Sequence, residues 1–233
     1  MRITEDPEFK AQLIRKITER EFSERTGIHC SDLCYCLNKQ VLRRLRRPEE
    51  EHTILLFSLG WATQRWLTGQ NTDIPEMEVD GITVTCDALM SPDGGKSYQA
   101  PWELKCTFQS SAKPIEENTA WIHQIMAQCY VTNSLVAWLS RLEVMGNWKS
   151  VFGKKEEKGL PENEKPTLHA YRLEFTQQEL DDNWEWLKAR SIEFQKLLGG
   201  RKPLPKCIAL PQLQGWECQY CPVEYKKLCE EAQ

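Results

Sequence analysis

Two short segments on either side of a glycine turn constrain this chain more than any other stretch. They are Val84-Thr85-Cys86-Asp87-Ala88-Leu89 and Trp102-Glu103-Leu104-Lys105-Cys106, with Pro-Asp-Gly-Gly at 92–95 between them. Ile82, Val84 and Cys86 alternate with Thr83, Thr85 and Asp87 at the two-residue period of a half-buried strand, and the glycines supply turn chemistry. The spacing predicts an antiparallel hairpin. Directly opposed residues in such a hairpin have numbers that add to a constant, and a turn centred on Gly95 pairs Asp87 with Glu103. The two carboxylates would then lie roughly 5 Å apart across the strands. Acids that close repel unless a cation sits between them, and hard oxygen ligands suit magnesium or manganese. Lys105, two residues from Glu103, points at the same spot. The plain alternative is a surface hairpin carrying a salt-bridged Glu-Lys face.

At 233 residues the chain has length for one domain with an appendage. Its formal net charge of -4 does not advertise nucleic-acid binding, yet a local basic groove is what a phosphate backbone meets. No apolar run reaches the length of a membrane span, and Met1 to Asp6 lacks the apolar core of a signal peptide. The expected location is cytoplasmic, with no membrane partner. Ten cysteines in such a compartment point to metal ligands or redox chemistry rather than a disulfide framework.

Helical spacing of Phe9, Leu13, Ile14 and Ile17 predicts an amphipathic helix over 8–25, ending near Thr26-Gly27. A second helix is expected to start at the capping pair Ser31-Asp32 and run to the break at Pro48. Its tail holds Lys39, Arg43, Arg44, Arg46 and Arg47, a solvated face or a phosphate contact. Residues 53–68 are apolar enough to predict a third, largely buried helix. A further helix is expected from Trp121, where Gln124 and Gln128, four apart, share a face toward the hairpin. Leu135 to Leu139 and His169 to Phe175 read as strands, and 146–167 as an exposed loop. Thr176-Gln177-Gln178-Glu179 is a capping box opening a long helix with Leu180, Trp184, Leu187, Phe194 and Leu198 on its core stripe. The order of elements predicts an α/β fold with a mixed sheet flanked by helices.

Cys218-Gln219-Tyr220-Cys221-Pro222 places two cysteines three apart, with Cys229 eight further on, a spacing that fits a terminal metal clip. The fourth ligand has three candidates at the front of the chain: Cys30, Cys34 and Cys36.

An Asp followed by Glu-x-Lys on the next strand resembles the PD-(D/E)xK nuclease superfamily, with Cys86 standing where the family name has proline. Ser31-Asp32-Leu33 and Cys36-Leu37-Asn38-Lys39 resemble the front of the RecB-like iron-sulfur nucleases within it, a branch that includes the CRISPR-associated RecB-like nucleases. The order of front cysteine, Gly60-x3-Gln64, Asp87, Glu103-x-Lys105, glutamine helix and tail cysteines matches that branch over nearly the whole chain. The resemblance implies a restriction-endonuclease-like fold in one domain spanning 1–233, with residues 1–50 and 200–233 forming a cysteine-cluster region around a 51–199 core.

It also implies roles. Asp87, Glu103 and the Leu104 carbonyl would hold Mg²⁺ or Mn²⁺, with Gln64 assisting through water where the branch often has histidine or an acid. Lys105 would position the attacking water, and Gln124 would orient Lys105. Lys39, Arg43 and Gln128 are candidate DNA contacts. Cys36, Cys218, Cys221 and Cys229 would hold a [4Fe-4S] cluster, with a four-cysteine zinc site as the alternative. The expected function is a metal-dependent DNA exonuclease, also capable of endonuclease cleavage, acting on ends or single strands in DNA processing, recombination or CRISPR adaptation and alongside proteins of those processes. Two alternatives come from other classes: a nucleic-acid-binding or adaptor protein on a degenerate nuclease fold, kept open by Gln64, and a redox-sensing iron-sulfur protein.

Overall fold

The computed structural model describes residues 4–21, 26–45, 51–69, 76–91, 99–108, 114–144, 166–205, 215–219 and 221–231. The expected turn at 92–95, Arg46, Arg47 and nearly all of the expected 146–167 loop lie outside them. The elements are α1 (Pro7–Glu21), β1 (Ile28–His29), α2 (Cys30–Leu33), α3 (Leu37–Leu45), α4 (Glu51–Thr68), β2 (Met77–Val79), β3 (Ile82–Val84), β4 (Ala88–Met90) and β5 (Ala100–Phe108). They continue with α5 (Thr119–Thr132), β6 (Val136–Val144), β7 (Thr167–Glu174), α6 (Gln177–Leu198), α7 (Gly215–Gln219) and α8 (Val223–Glu231).

The strand expected to run from Ile82 through Asp87 is broken. Ile82, Thr83 and Val84 are all buried, and they form the centre of a three-stranded sheet of order β1-β3-β2. After Thr85-Cys86-Asp87 the chain enters a second sheet, of order β4-β5-β6-β7. One alternating run in the sequence thus serves two sheets, each supplying its own covering side chains. Asp80 and Gly81, at φ 51° and 73°, close β2 onto β3 in a two-residue turn of the type that matches strand twist.

In the larger sheet β4 and β5 are antiparallel, β5 and β6 parallel, and β6 and β7 antiparallel. A parallel pair needs a crossover, and α5 supplies it between β5 and β6. Asn133 ends α5 in the left-handed region (φ 52°), its N–H turned back to the last carbonyls.

Helix α6 opens on the expected capping box, the Thr176 N–H donating to Glu179 Oε2 at 2.7 Å. Leu180, Trp184, Leu187 and Phe194 of its stripe are buried, joining one core under the smaller sheet and another under β6 and β7. At its end the buried leucine is Leu197, and the expected Leu198 is half-buried.

Two helix expectations are corrected. The helix predicted from Ser31 to Pro48 is interrupted at Cys34-Tyr35-Cys36, giving α2 and α3. Asp32 stands at the third position of α2 rather than before it and closes its capping box: it accepts from the N-cap His29 N–H (3.2 Å) and pairs with Arg44 (2.5 Å). Arg190 of α6 meanwhile donates to the Leu33 and Tyr35 carbonyls, which the break leaves without helical partners. Helix α4 was expected to be largely buried, yet Leu55, Leu56, Phe57, Leu59 and Trp66 are exposed and Ile54 is the buried apolar residue. A helix apolar on every side exceeds what one packing face can cover.

Candidate active site

The β4–β5 ladder pairs Ala88 with Trp102, Leu89 with Pro101 and Met90 with Ala100. Every pair adds to 190, so one step further along the same register sets Asp87 opposite Glu103. Asp87 stands just before the ladder begins, and its Oδ2 accepts the Leu104 N–H at 2.7 Å. The side chain thereby replaces a strand partner for β5 and is fixed in place by the backbone it faces.

Glu103 and Lys105 share a face of β5 and meet α5. The Lys105 ammonium donates to Glu103 Oε1 and to Gln124 Oε1 (3.1 Å). Gln124 Nε2 donates to the same Glu103 oxygen at 2.9 Å. Gln128, one turn on, donates from Nε2 to Glu103 Oε2 at 2.6 Å and to the Thr85 carbonyl at 3.0 Å. Glu103 is only 2% exposed, and a buried carboxylate needs donors for its lone pairs. Three side chains supply them.

The electrostatics follow from this packing. Burial, and next the Glu103 charge, push the Asp87 carboxyl up to about 7, against the pull of Lys105 and the Leu104 N–H. Burial disfavours the Lys105 charge, but Glu103, Tyr35 and Asp87 outweigh it and hold the ammonium protonated well past its ordinary range. The site therefore sets a fixed cation beside Glu103, with the Asp87 acid poised near neutrality. The other Asp87 oxygen has no hydrogen bond among the described residues. That oxygen and the Glu103 carboxylate are hard donors, and a divalent ion between the acids would relieve the repulsion that raises Asp87. The donor set fits such an ion. Among the described residues no three His, Cys, Asp or Glu side chains already form a metal-holding group.

Other residues singled out in the sequence fall elsewhere. Gln64 on α4 makes no side-chain hydrogen bond to Asp87 or Glu103. Gln128, expected among DNA contacts, is fully buried and belongs to the Glu103 shell. Tyr130 stacks on Trp184 in the core, ring centroids 4.5 Å apart. The Arg43 guanidinium lies 4.7 Å from the Phe57 ring centre, whereas Arg44 donates to the Gly27 carbonyl (2.6 Å) and Asp32.

The front and tail of the chain do approach each other. The Cys36 N–H donates to Glu217 Oε1 at 2.9 Å, and Asn38 Nδ2 donates to the Pro205 carbonyl (2.6 Å) and to Cys229 Sγ (3.5 Å). Burial pushes the Cys221 thiol up to about 11, with Cys36, Cys229 and Cys218 adding to the shift and Lys39 opposing it. None of these four cysteines is in a disulfide, and among the described residues no three of them form a group that could hold a metal. Cys30 and Cys34 instead face each other at 3.7 Å, and mutual hydrogen bonding and burial keep the Cys30 thiol protonated. Glu217, the buried acid that ties the tail to Cys36, carries no sequence signal, because its partner lies 181 residues away. Gln128 was visible as a helix-face neighbour of Gln124, although its acceptor was not.

No protein-family model matches the chain, and no curated protein does. Among solved structures it is similar to the crystal structure of SSO0001, with 14% identity and a TM-score of 0.56 over 91% of this chain and 93% of that one. It is also similar to a phage-related exonuclease from Haemophilus somnus 129PT (11% identity, TM-score 0.46, 76% of this chain and 96% of that one). A third similarity is to an alkaline exonuclease, LHK-Exo, from Laribacter hongkongensis (14% identity, TM-score 0.40, 75% and 91%). The likeness to SSO0001 spans nearly all of both chains and is one of fold.

Proposed function

We propose that the chain is a metal-dependent nuclease that hydrolyses phosphodiester bonds in DNA, acting from ends, with Asp87, Glu103, Lys105 and Gln124 as its working residues. One observation carries this reading: two acids set face to face by strand register, one of them hydrogen-bonded to a lysine and two glutamines. A bound Mg²⁺ or Mn²⁺ supplies polarisation of the phosphate and a more acidic water. Asp87, held by the Leu104 N–H, and Glu103, held by three donors, offer oxygens at a fixed separation. Lys105, kept charged by Glu103, donates to the oxygen on which negative charge builds in the transition state. Gln124 bridges Lys105 and Glu103, so the ammonium is aimed before substrate arrives. Lys39 and Arg43, one turn apart on α3, are the proposed backbone-phosphate contacts.

Cys36, Cys218, Cys221 and Cys229 are proposed to hold a [4Fe-4S] cluster, with zinc as the alternative, closing the tail onto the front. The resemblance to RecB-like nucleases supports a role in DNA processing, recombination or CRISPR adaptation. A second reading, a binding or adaptor protein on a degenerate nuclease fold, is favoured by Gln64, which makes no hydrogen bond to the acid pair.

The deciding experiment is cleavage of end-labelled single- and double-stranded DNA with Mn²⁺ by anaerobically purified protein. The wild type is expected to shorten the DNA from its ends, while Glu103→Ala and Lys105→Ala, with unchanged circular dichroism, leave it intact. No cleavage by folded wild type would favour the adaptor reading, and full activity of the Lys105 variant would remove that residue from the mechanism.

A further inference from the structure

Helices α1 and α4 pack on one another, tied at one end by a Lys10–Glu51 ion pair of 2.7 Å. What they turn outward is unusual for a water-facing surface. Phe9 is 57% exposed, Leu13 44%, Leu55 45%, Leu56 53%, Leu59 48% and Trp66 74%. Leu55, Leu59 and Trp66 fall at i, i+4 and i+11, one stripe of the helix. Together the six side chains offer roughly 600 Å² of mostly apolar surface, at the upper end of the ~300–600 Å² patches that monomers carry. A standard interface takes ~800 Å² from each partner.

The charges around this face choose among occupants. Exposed Arg15 and Lys16 share α1 with exposed Glu8 and Glu19, while Lys10 and Glu51 are already paired with each other. A polyanion needs cations of one sign; a two-fold symmetric contact needs a surface complementary to itself, with each sign available to meet the other. The mixed rim fits the second case. We infer that the α1–α4 face is the interface of a two-fold symmetric homodimer, in which these two helices of one copy pack against the same two of another. The contact buries the leucines and Trp66 at its centre and leaves the mixed charges at its rim. Helix α4 also packs on β5, the strand of Glu103 and Lys105, but the dimer does not depend on the nuclease reading.

Sedimentation of the full chain over a dilution series tests this. The wild type is expected to sediment at twice the chain mass and to fall to the chain mass on dilution. Leu59→Glu and Trp66→Glu, each placing a charge in the apolar centre of both copies, are expected to weaken association by ~100-fold or more. Hydrogen exchange on the unaltered protein gives a reading that needs no variant: the amides of residues 7–21 and 51–68 should become more protected as concentration rises. A wild type that stays at the chain mass throughout overturns the proposal. So does a dimer that folded Leu59→Glu and Trp66→Glu leave intact, or protection of this face brought about by oligonucleotide while the protein remains a monomer.

Discussion

Gln128 shows how one amide can set the character of a site. Its Nε2 is committed to Glu103 and the Thr85 carbonyl, while its Oε1, equally buried, has no hydrogen-bond partner among the described residues. Gln128→Leu should therefore cost about 1–3 kcal/mol, the usual penalty for stranding a buried acceptor, here Glu103 Oε2. It should also weaken divalent-metal affinity by roughly 10–100-fold, as loss of a group that orients a ligand does. Urea unfolding and calorimetric titration measure the two effects separately. Asp87 gives a pH prediction. Its carboxyl binds a proton more tightly when folded, so the folded state holds the extra proton between the ordinary carboxylate range and about 7. Its contribution to stability is full below that window and is lost as pH rises through about 7. In metal-free protein this contribution amounts to about 4 kcal/mol across the window. Asp87→Asn should remove that slope from the urea midpoint measured against pH. Glu103 and Lys105 were legible in the sequence because they share a strand face, Asp87 because one hairpin register sets it opposite Glu103, and the two glutamines because they lie four apart on one helix face. That this face meets Glu103 came from the family resemblance, the contacts spanning 21 and 25 residues. The direction of the Asp87 shift was not legible, since it comes from burial by segments far along the chain.

Elements were legible where one period held and one face was covered. The capping box and stripe of α6 and the register of β4 on β5 follow from local spacing. The break between β3 and β4 does not, because the alternation of Ile82, Val84 and Cys86 is the same whether the chain stays in one sheet or passes to another. Nor does the split between α2 and α3, which depends on Arg190 satisfying the carbonyls of Leu33 and Tyr35 from a helix about 155 residues later. The Asp80-Gly81 dipeptide was a readable hairpin signal for β2 and β3. Gly81 has φ 73° and open space around the position of a Cβ, so Gly81→Ala should cost only the backbone strain, about 1–2 kcal/mol, without a clash. A drop in the urea midpoint with an unchanged slope would match; a changed slope would point to altered sheet pairing instead.

At the scale of the whole molecule, the front and tail are joined by contacts that include the buried Cys36 N–H on Glu217 and Asn38 on Pro205 and Cys229. Glu217→Ala should leave the Cys36 N–H without its acceptor, at about 1–3 kcal/mol. The loss should be local: hydrogen exchange in 215–231 should quicken while the amides of β5 and β6 keep their protection. These contacts also have a consequence in time. A ribosome delivers Glu217 only after 181 further residues have followed Cys36, and such long-range closures are slow. Until then the front of the chain, with its break at Cys34-Tyr35-Cys36, waits without the residues that close it. Arg190 must emerge first, and Glu217 next. Incomplete chains that stop short of the tail would thus carry an unfinished front into a crowded cell, where prolonged exposure of such segments favours aggregation over folding.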